Sequence, residues 1–293
     1  MVTDDQQAEL DELLGVMDIR AVGQDLFRGP YARRRLPRLF GGQALAQALI
    51  AAGRTVPDTR VPHSLHAYFI RPGDSCVPLD LAVKRLHDGG SFTVREVTVS
   101  QHGREIVHLM CSFQSPEDGP HYQDVVAPAV PRPDAAPSLE YWLDPHRAML
   151  PDWWSTPHPF DLRFVEEPTG LTKGRVREPV QRFWMRTAGT PPNDALLHAA
   201  LVTYASDLTL LDSALFPSGQ SWYSDPVDGA SLDHALWFHL PPRADAWLMC
   251  EQRSPISEGG RAFTTCRMTD LNANLIVSGA QEGLVRSRAG SAR

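Results

Sequence analysis

Apolar positions in this chain follow two periods, and the two periods alternate in the same order twice. Residues 43–52, Gln43-Ala44-Leu45-Ala46-Gln47-Ala48-Leu49-Ile50-Ala51-Ala52, consist of helix-favouring residues and close at Gly53. Four segments behind them alternate as strands do, at 64–70, 79–85, 91–101 and 105–114, with His102-Gly103 as a hairpin turn. The second pass opens with a strand at 182–186. Pro191-Pro192-Asn193-Asp194 then serves as turn and cap, and the pattern predicts a helix through about Leu211. Strands are predicted next at 231–240, 246–254, 260–269 and 275–286. The unit thus runs through residues 40–114 and recurs through 193–285, offset by roughly 168 positions. Ser64-Leu65-His66-Ala67-Tyr68-Phe69 matches Leu232-Asp233-His234-Ala235-Leu236-Trp237-Phe238, and 107–114 matches 275–282. A small-residue helix beside long antiparallel strands predicts a sheet curled closely around a central helix. Two such copies can pair and build one site at their seam, where one copy keeps chemistry that the other has lost.

Residues 116–159, between the copies, hold ten of the 25 prolines together with Trp142, Trp153 and Trp154. Proline at that density prevents regular ladders, while the aromatics predict a segment packed on the surface as an ordered crossing. The expected division is an N-terminal domain at 1–120, a proline-rich crossing at 121–160 and a C-terminal domain at 161–293, with a frayed tail at 286–290. At 293 residues each half is long enough to bury its own core. A net charge of -7 excludes a general nucleic-acid binder, so any anionic ligand must be held by local positive groups. Cys76, Cys111, Cys250 and Cys266 are far apart, and three sit in predicted strands, which suggests free thiols in a reducing compartment. The acidic start, the absence of an apolar run of membrane length and the ending Ser291-Ala292-Arg293 lead to the expectation of a cytoplasmic protein without a membrane span.

Within the second helix, Leu197, Ala200, Tyr204, Asp207 and Leu211 recur at helical spacing, which puts Asp207 on the sheet-facing stripe. A carboxylate there costs several kcal/mol unless hydrogen-bonded, and burial raises its pKa, as suits a base. On the residues alone, an aspartate near a helix end can equally turn outward and be solvated. Gln281 alternates in phase with Gly279 and Gly283, glycines that leave space beside an amide, though a solvent-facing glutamine on a bulged strand reads the same way. Ser231 follows the 225–229 turn, where a serine also bonds the turn itself. Free N–H groups around Gly42 and Gln43 at the first helix's N-terminus suit an oxyanion, or the glycines only turn strand into helix. Arg33, Arg34, Arg35 and Arg38 just upstream form a solvated basic loop or meet phosphates.

The motifs Tyr204-Ala205-Ser206-Asp207, Ser231-Leu232-Asp233-His234-Ala235-Leu236-Trp237-Phe238-His239, Gln281-Glu282-Gly283, Phe40-Gly41-Gly42-Gln43 and the 63–74 segment together resemble the acyl-CoA thioesterase II (TesB-type) family. The resemblance runs from about residue 8 to residue 286 and weakens in the proline-rich crossing. It implies an α+β double hotdog, two tandem antiparallel sheets each wrapped around a central helix. It further implies hydrolysis of fatty acyl-CoA by a water held by Asp207, Ser231 and Gln281, with serine where some relatives have threonine. Coenzyme A, part of the substrate, would meet the basic loop. The family forms oligomers, and exposed sheet edges pair readily, so at least a homodimer is expected.

Those residue types suit the chemistry independently. Thioester hydrolysis needs a water aligned on the carbonyl carbon, a carboxylate to take its proton and donors for the oxyanion. The leaving thiol, with an unperturbed pKa of about 8.5, departs without a strong acid. Copy one has Ala51-Ala52-Gly53 at its helix end and Phe113-Gln114 in its last strand, so it offers no acid. There is no Gly-x-Ser-x-Gly elbow, Walker loop or Gly-x-Gly-x-x-Gly turn. His63 with His66 and His234 with His239 point to opposite strand faces, so no metal or other cofactor is expected. A hotdog hydratase or dehydratase is the first alternative, disfavoured because Asp233 and His234 face opposite ways. A non-catalytic acyl-CoA binder is the second.

Overall fold

The computed structural model describes residues 4–32, 38–149, 158–168, 171, 174–222 and 225–287. Helix α1 (Asp4–Met17) leads into the short strands β1 (Arg20–Gly23) and β2 (Leu26–Gly29). Helix α2 (Gly41–Gly53) is followed by β3 (Val61–Phe69), β4 (Leu79–Asp88), β5 (Phe92–Gln101) and β6 (Arg104–Gln114). After the crossing come α3 (Leu139–Leu143), β7 (Phe160–Phe164), β8 (Val180–Thr187) and α4 (Ala195–Ser206). The chain closes with β9 (Val227–Ser231), β10 (Asp233–Phe238), β11 (Leu248–Glu258), β12 (Arg261–Thr269) and β13 (Leu275–Ser287).

These strands form one antiparallel sheet in the order β1-β2-β4-β5-β6-β3-β10-β13-β12-β11-β8-β7, with β9 added alongside β13. The order is palindromic in kind. From the centre outward, β3, β6, β5, β4 and β2 mirror β10, β13, β12, β11 and β8, and β3 joins β10 with Leu65 opposite Leu236. Each half wraps its own helix, which makes a double hotdog. Every residue of α2 from Gly42 to Ala52 is buried; most are small or aliphatic, and the amides of Gln43 and Gln47 bond the carbonyls of Pro30 and Val16. Leu45, Leu49, Leu65, Leu109 and Phe113 on one side share a single apolar cluster with Leu201, Leu236, Phe238 and Val277 on the other. His102 and Gly103 both take positive φ, as a two-residue hairpin turn demands.

Three features depart from the sequence pattern. Helix α4 stops at Ser206 rather than about Leu211, and the Thr203 hydroxyl in its last turn bonds back to the carbonyl of Ala199. The single strand expected at 231–240 is two, β9 and β10, broken at Leu232, so Ser231 ends a strand instead of opening one. The β1–β2 hairpin and β7 were not foreseen; at four and five residues they carry too little alternation to read. The crossing runs along the C-terminal half. Gln123 bonds the backbone of Ala273 and Leu275, and Trp184 Nε1 donates to Pro131 O at 2.8 Å. Trp153 and Trp154 lie outside the described residues. Cys111, Cys250 and Cys266 are buried free thiols and Cys76 is exposed. Among the described residues no helix is long and apolar enough to cross a membrane.

Candidate active site

The early stop of α4 makes Asp207 its C-cap residue, at the end of the helix dipole that disfavours an anion. Helix α2 packs against α4 with its N-terminus here, and that end compensates. Phe40 provides no side-chain cap, and the Gly42 N–H bonds Asp207 instead. The two glycines at 41 and 42 are forced by this approach. A Cβ on Gly41 would lie 2.6 Å from Asp207 Oδ2, and one on Gly42 would lie 2.5 Å from the Tyr204 carbonyl oxygen.

Gln281 in β13 donates from Nε2 to Asp207 Oδ1 at 3.0 Å, and Ser231 donates from Oγ to the same oxygen at 3.3 Å. The three side chains singled out from sequence therefore converge on one atom, although they come from a helix end and two strands far apart in the chain. Only 5% of the Asp207 side chain is exposed. Burial pushes its pKa up to about 6, against the pull of the bonds from Gln281, Gly42 and Ser231. The result is an ionised, hydrogen-bonded carboxylate at neutral pH that is far more basic than an exposed aspartate.

Other expectations fare differently. The N–H of Gly42 is committed to Asp207, while that of Gln43 makes a long turn bond of 3.2 Å to Phe40 O. The Gln43 side chain points to Pro30 O instead of the site. Gly279 and Gly283 do not hold open a space. Leu236 and Cys266 fill the position beside the first, and Leu211 fills the position beside the second. Arg38 is exposed two residues before Phe40, and Arg33, Arg34 and Arg35 lie outside the described residues.

His234 was set aside because it faces away from its neighbour Asp233. The acid it meets is Asp207, whose Oδ1 lies 3.9 Å from His234 Nδ1, while Asp233 on the other face accepts the Glu282 N–H. The signal was present in the strand period, since His234 is in phase with the buried Leu236 and Phe238. Burial drives its pKa down to about 4, so the ring is neutral wherever Asp207 is ionised.

Known proteins share this architecture along nearly the whole chain. The family model of the acyl-CoA thioesterase N-terminal domain matches residues 32–114, and that of the C-terminal domain matches residues 123–285. Acyl-coenzyme A thioesterase 8 of Mus musculus is 36% identical over 283 residues, which cover 92% of this chain and 88% of that protein. Acyl-CoA thioesterase 2 of Haemophilus influenzae is 31% identical over 284 residues, covering 94% and 98%. The crystal structure of acyl-CoA thioesterase II TesB2 from Mycobacterium marinum matches with a TM-score of 0.77 at 34% identity, covering 96% of this chain and 99% of that one. A hotdog protein from Alicyclobacillus acidocaldarius, at 18% identity and a TM-score of 0.76, shares the fold. With both domain models matched in order and relatives of this identity spanning both halves, the chain belongs to the TesB-type acyl-CoA thioesterase II family and is a double-hotdog thioester hydrolase.

Proposed function

We propose that the chain hydrolyses fatty acyl-CoA to free fatty acid and coenzyme A, with Asp207 as general base and Ser231 and Gln281 orienting it and the attacking water. The observation that carries this reading is the convergence of two donors on one oxygen of a carboxylate that is almost wholly buried. Asp207 takes a proton from water as its oxygen attacks the thioester carbon, and the C–S bond breaks when the tetrahedral oxyanion collapses. The thiolate then receives the proton from the Asp207 carboxyl, so the base is regenerated. The Gln43 N–H, held only in its long turn bond, is the candidate oxyanion donor, and the dipole of α2 assists. Gly42 is better assigned to holding the base. The C-terminal half thus carries the reacting groups, while the N-terminal half contributes a helix end. Exposed Arg38 is the described member of the basic loop assigned to coenzyme A phosphates.

Closeness of His234 to Asp207 supplies the histidine–acid pair that hydratase chemistry uses, so that alternative needs a direct test. Free-thiol release and the acyl product are measured together on a panel of acyl-CoA chain lengths. Thiol release with unchanged acyl chains is the expected result. An altered acyl group without thiol identifies a hydratase, and neither product identifies a binder.

A further inference from the structure

His234 does not act in the mechanism above, yet its side chain is fully buried against the two residues that matter most to it. Its Nε2 lies 2.9 Å from Ser206 Oγ, which is itself 2.8 Å from Thr203 O. Ser206 has one hydrogen for these two acceptor positions, so the tautomer of His234 depends on what Nδ1 faces. Among the described residues, His234 Nδ1 and Gln281 Oε1 are buried polar atoms without a hydrogen-bond partner. Both side chains border the same oxygen, Asp207 Oδ1, with Gln281 Nε2 at 3.0 Å and His234 Nδ1 at 3.9 Å. With the hydrogen on Nε2, both orphans are acceptors and neither is satisfied. With the hydrogen on Nδ1, the two become a donor and an acceptor able to pair, and Ser206 turns its hydroxyl to Nε2. Leaving two buried acceptors unpaired costs more than redirecting one hydroxyl.

We propose that His234 is a positioning residue that carries its hydrogen on Nδ1 and donates it to Gln281 Oε1, so that the carboxamide presents its N–H group to Asp207. The inference rests on the assignment of Asp207 and Gln281 above. Gln281 alone can rotate its amide and offer Oε1 to the carboxylate, which repels it. A donor behind Oε1 removes that freedom. Ser206 at the end of α4 thereby supports the base through a relay of hydrogen bonds that passes through His234 and ends on β13.

Three substitutions separate the two ring nitrogens. Asn places its amide nitrogen near the position of Nδ1, Gln places its own near Nε2, and Leu has neither. We expect His234→Asn to keep kcat within about threefold of wild type, and His234→Gln and His234→Leu to lose about tenfold, with KM unchanged in all three. The effect must also vanish when Gln281 is already alanine, because His234 acts through it. Equal loss in the Asn and Leu variants, or full kcat in the Leu variant, overturns the proposal. So does a His234→Leu effect that persists undiminished in the Gln281→Ala background. If Gln281→Ala alone keeps wild-type kcat, it is the assignment of Gln281 that fails. Should the Leu variant not fold, nitrogen NMR of the imidazole in the intact wild-type chain decides the matter. A hydrogen on Nδ1 supports the proposal and one on Nε2 refutes it.

Discussion

Helices α2 and α4 lie side by side in opposite directions, so the molecule has two seams where the end of one meets the start of the other. At the first seam, Asp207 from the end of α4 reaches Gly41 and Gly42 at the start of α2. At the second, Gly53 ends α2 and the side chain of Leu196 at the start of α4 fills the space beside it. Both helix starts are met by a carboxylate, with opposite consequences. Asp194 belongs to α4 itself and is spent as its cap, accepting from the N–H groups of Leu196 and Leu197. Asp207 arrives from the other helix, leaves α2 without a cap of its own, and remains basic. The ladders extend the comparison. Gly279 stands opposite Leu236 as Cys111 stands opposite Leu65, so Phe113 takes the place of Gln281. One step before the Val61–Gln114 pair, Arg60 stands where Ser231 faces Gly283. The second seam holds an open cavity of about 580 Å³ bordered by Ile50, Val56, Phe113, Leu196 and Arg60, and the acids on its lining, Asp18, Asp58 and Asp194, are exposed. Of the two seams, the first alone carries a buried carboxylate among the described residues.

If only the first seam is chemical, losing its acid should remove nearly everything. We expect Asp207→Asn to lower kcat by about 10²–10⁴-fold, the usual contribution of a general base. Residual activity close to wild type would mean that the second seam, or another group, turns over substrate. In the wild-type enzyme kcat/KM should rise with pH through an apparent pKa of about 6, because the base works only when ionised. Stability should move the opposite way. The folded pKa lies above the ordinary carboxylate value of 3.8, so the folded state holds the proton more tightly than the unfolded chain. The stabilisation is therefore complete below pH of about 4 and is lost as pH rises through about 6. At pH 8 Asp207→Asn should thus be more stable than wild type by roughly 1–3 kcal/mol, and thermal unfolding at pH 8 and pH 4.5 should show the gap closing in acid. A gap that is independent of pH would contradict the strain assigned to the ionised form.

The partners of the acid should matter less than the acid. Gln281→Ala removes a 3.0 Å donor to a buried charge, which is worth about 10–100-fold in kcat/KM. Ser231→Ala removes a 3.3 Å donor from a partly exposed position, for which a loss of about 2–10-fold is expected, with Ser231→Thr restoring it. Steady-state kinetics on one acyl-CoA give both numbers. A serine effect larger than the glutamine effect would reverse their order of importance.

Much of this was readable in the chain because two periods carry it. The helices and the long strands fall where the 3.6 and 2.0 repeats put them, and the helical stripe brought Asp207 inward even though α4 ends one residue earlier. The strand period puts Gln281 on one face with Gly279 and Gly283 but leaves open which face is inward; the structure buries it. Gly279 and Gly283 make room for Leu236, Cys266 and Leu211, and such packing depends on which strand lies alongside. The direction of Gly42 N–H was hidden for the same reason, since the acceptor comes from a helix about 165 residues away whose docking no local pattern encodes. Asp233 and His234 do face opposite ways, as the strand period predicts, but the partners of His234 come from distant elements that no neighbour in sequence identifies.

The smallest effect on activity tests the comparison from the silent side. Arg60 occupies the place of the serine hydroxyl, but its guanidinium is engaged in structure, with Nη1 donating to Thr93 Oγ1 at 2.6 Å and Nη2 to the carbonyls of Gly89 and Gly90 at 2.6 and 2.8 Å. These bonds tie the start of β3 to the β4–β5 turn, beside the cavity that Arg60 borders. Arg60→Ala should therefore leave kcat and KM within about twofold of wild type, while thermal or denaturant unfolding shows a loss of about 1–2 kcal/mol. A normal fold with kcat reduced tenfold would mean that the second seam takes part in turnover. Unchanged kinetics with reduced stability would show that the duplicated site has been converted from chemistry to scaffold, with a cation tying down the turn where its twin keeps a hydroxyl on the base.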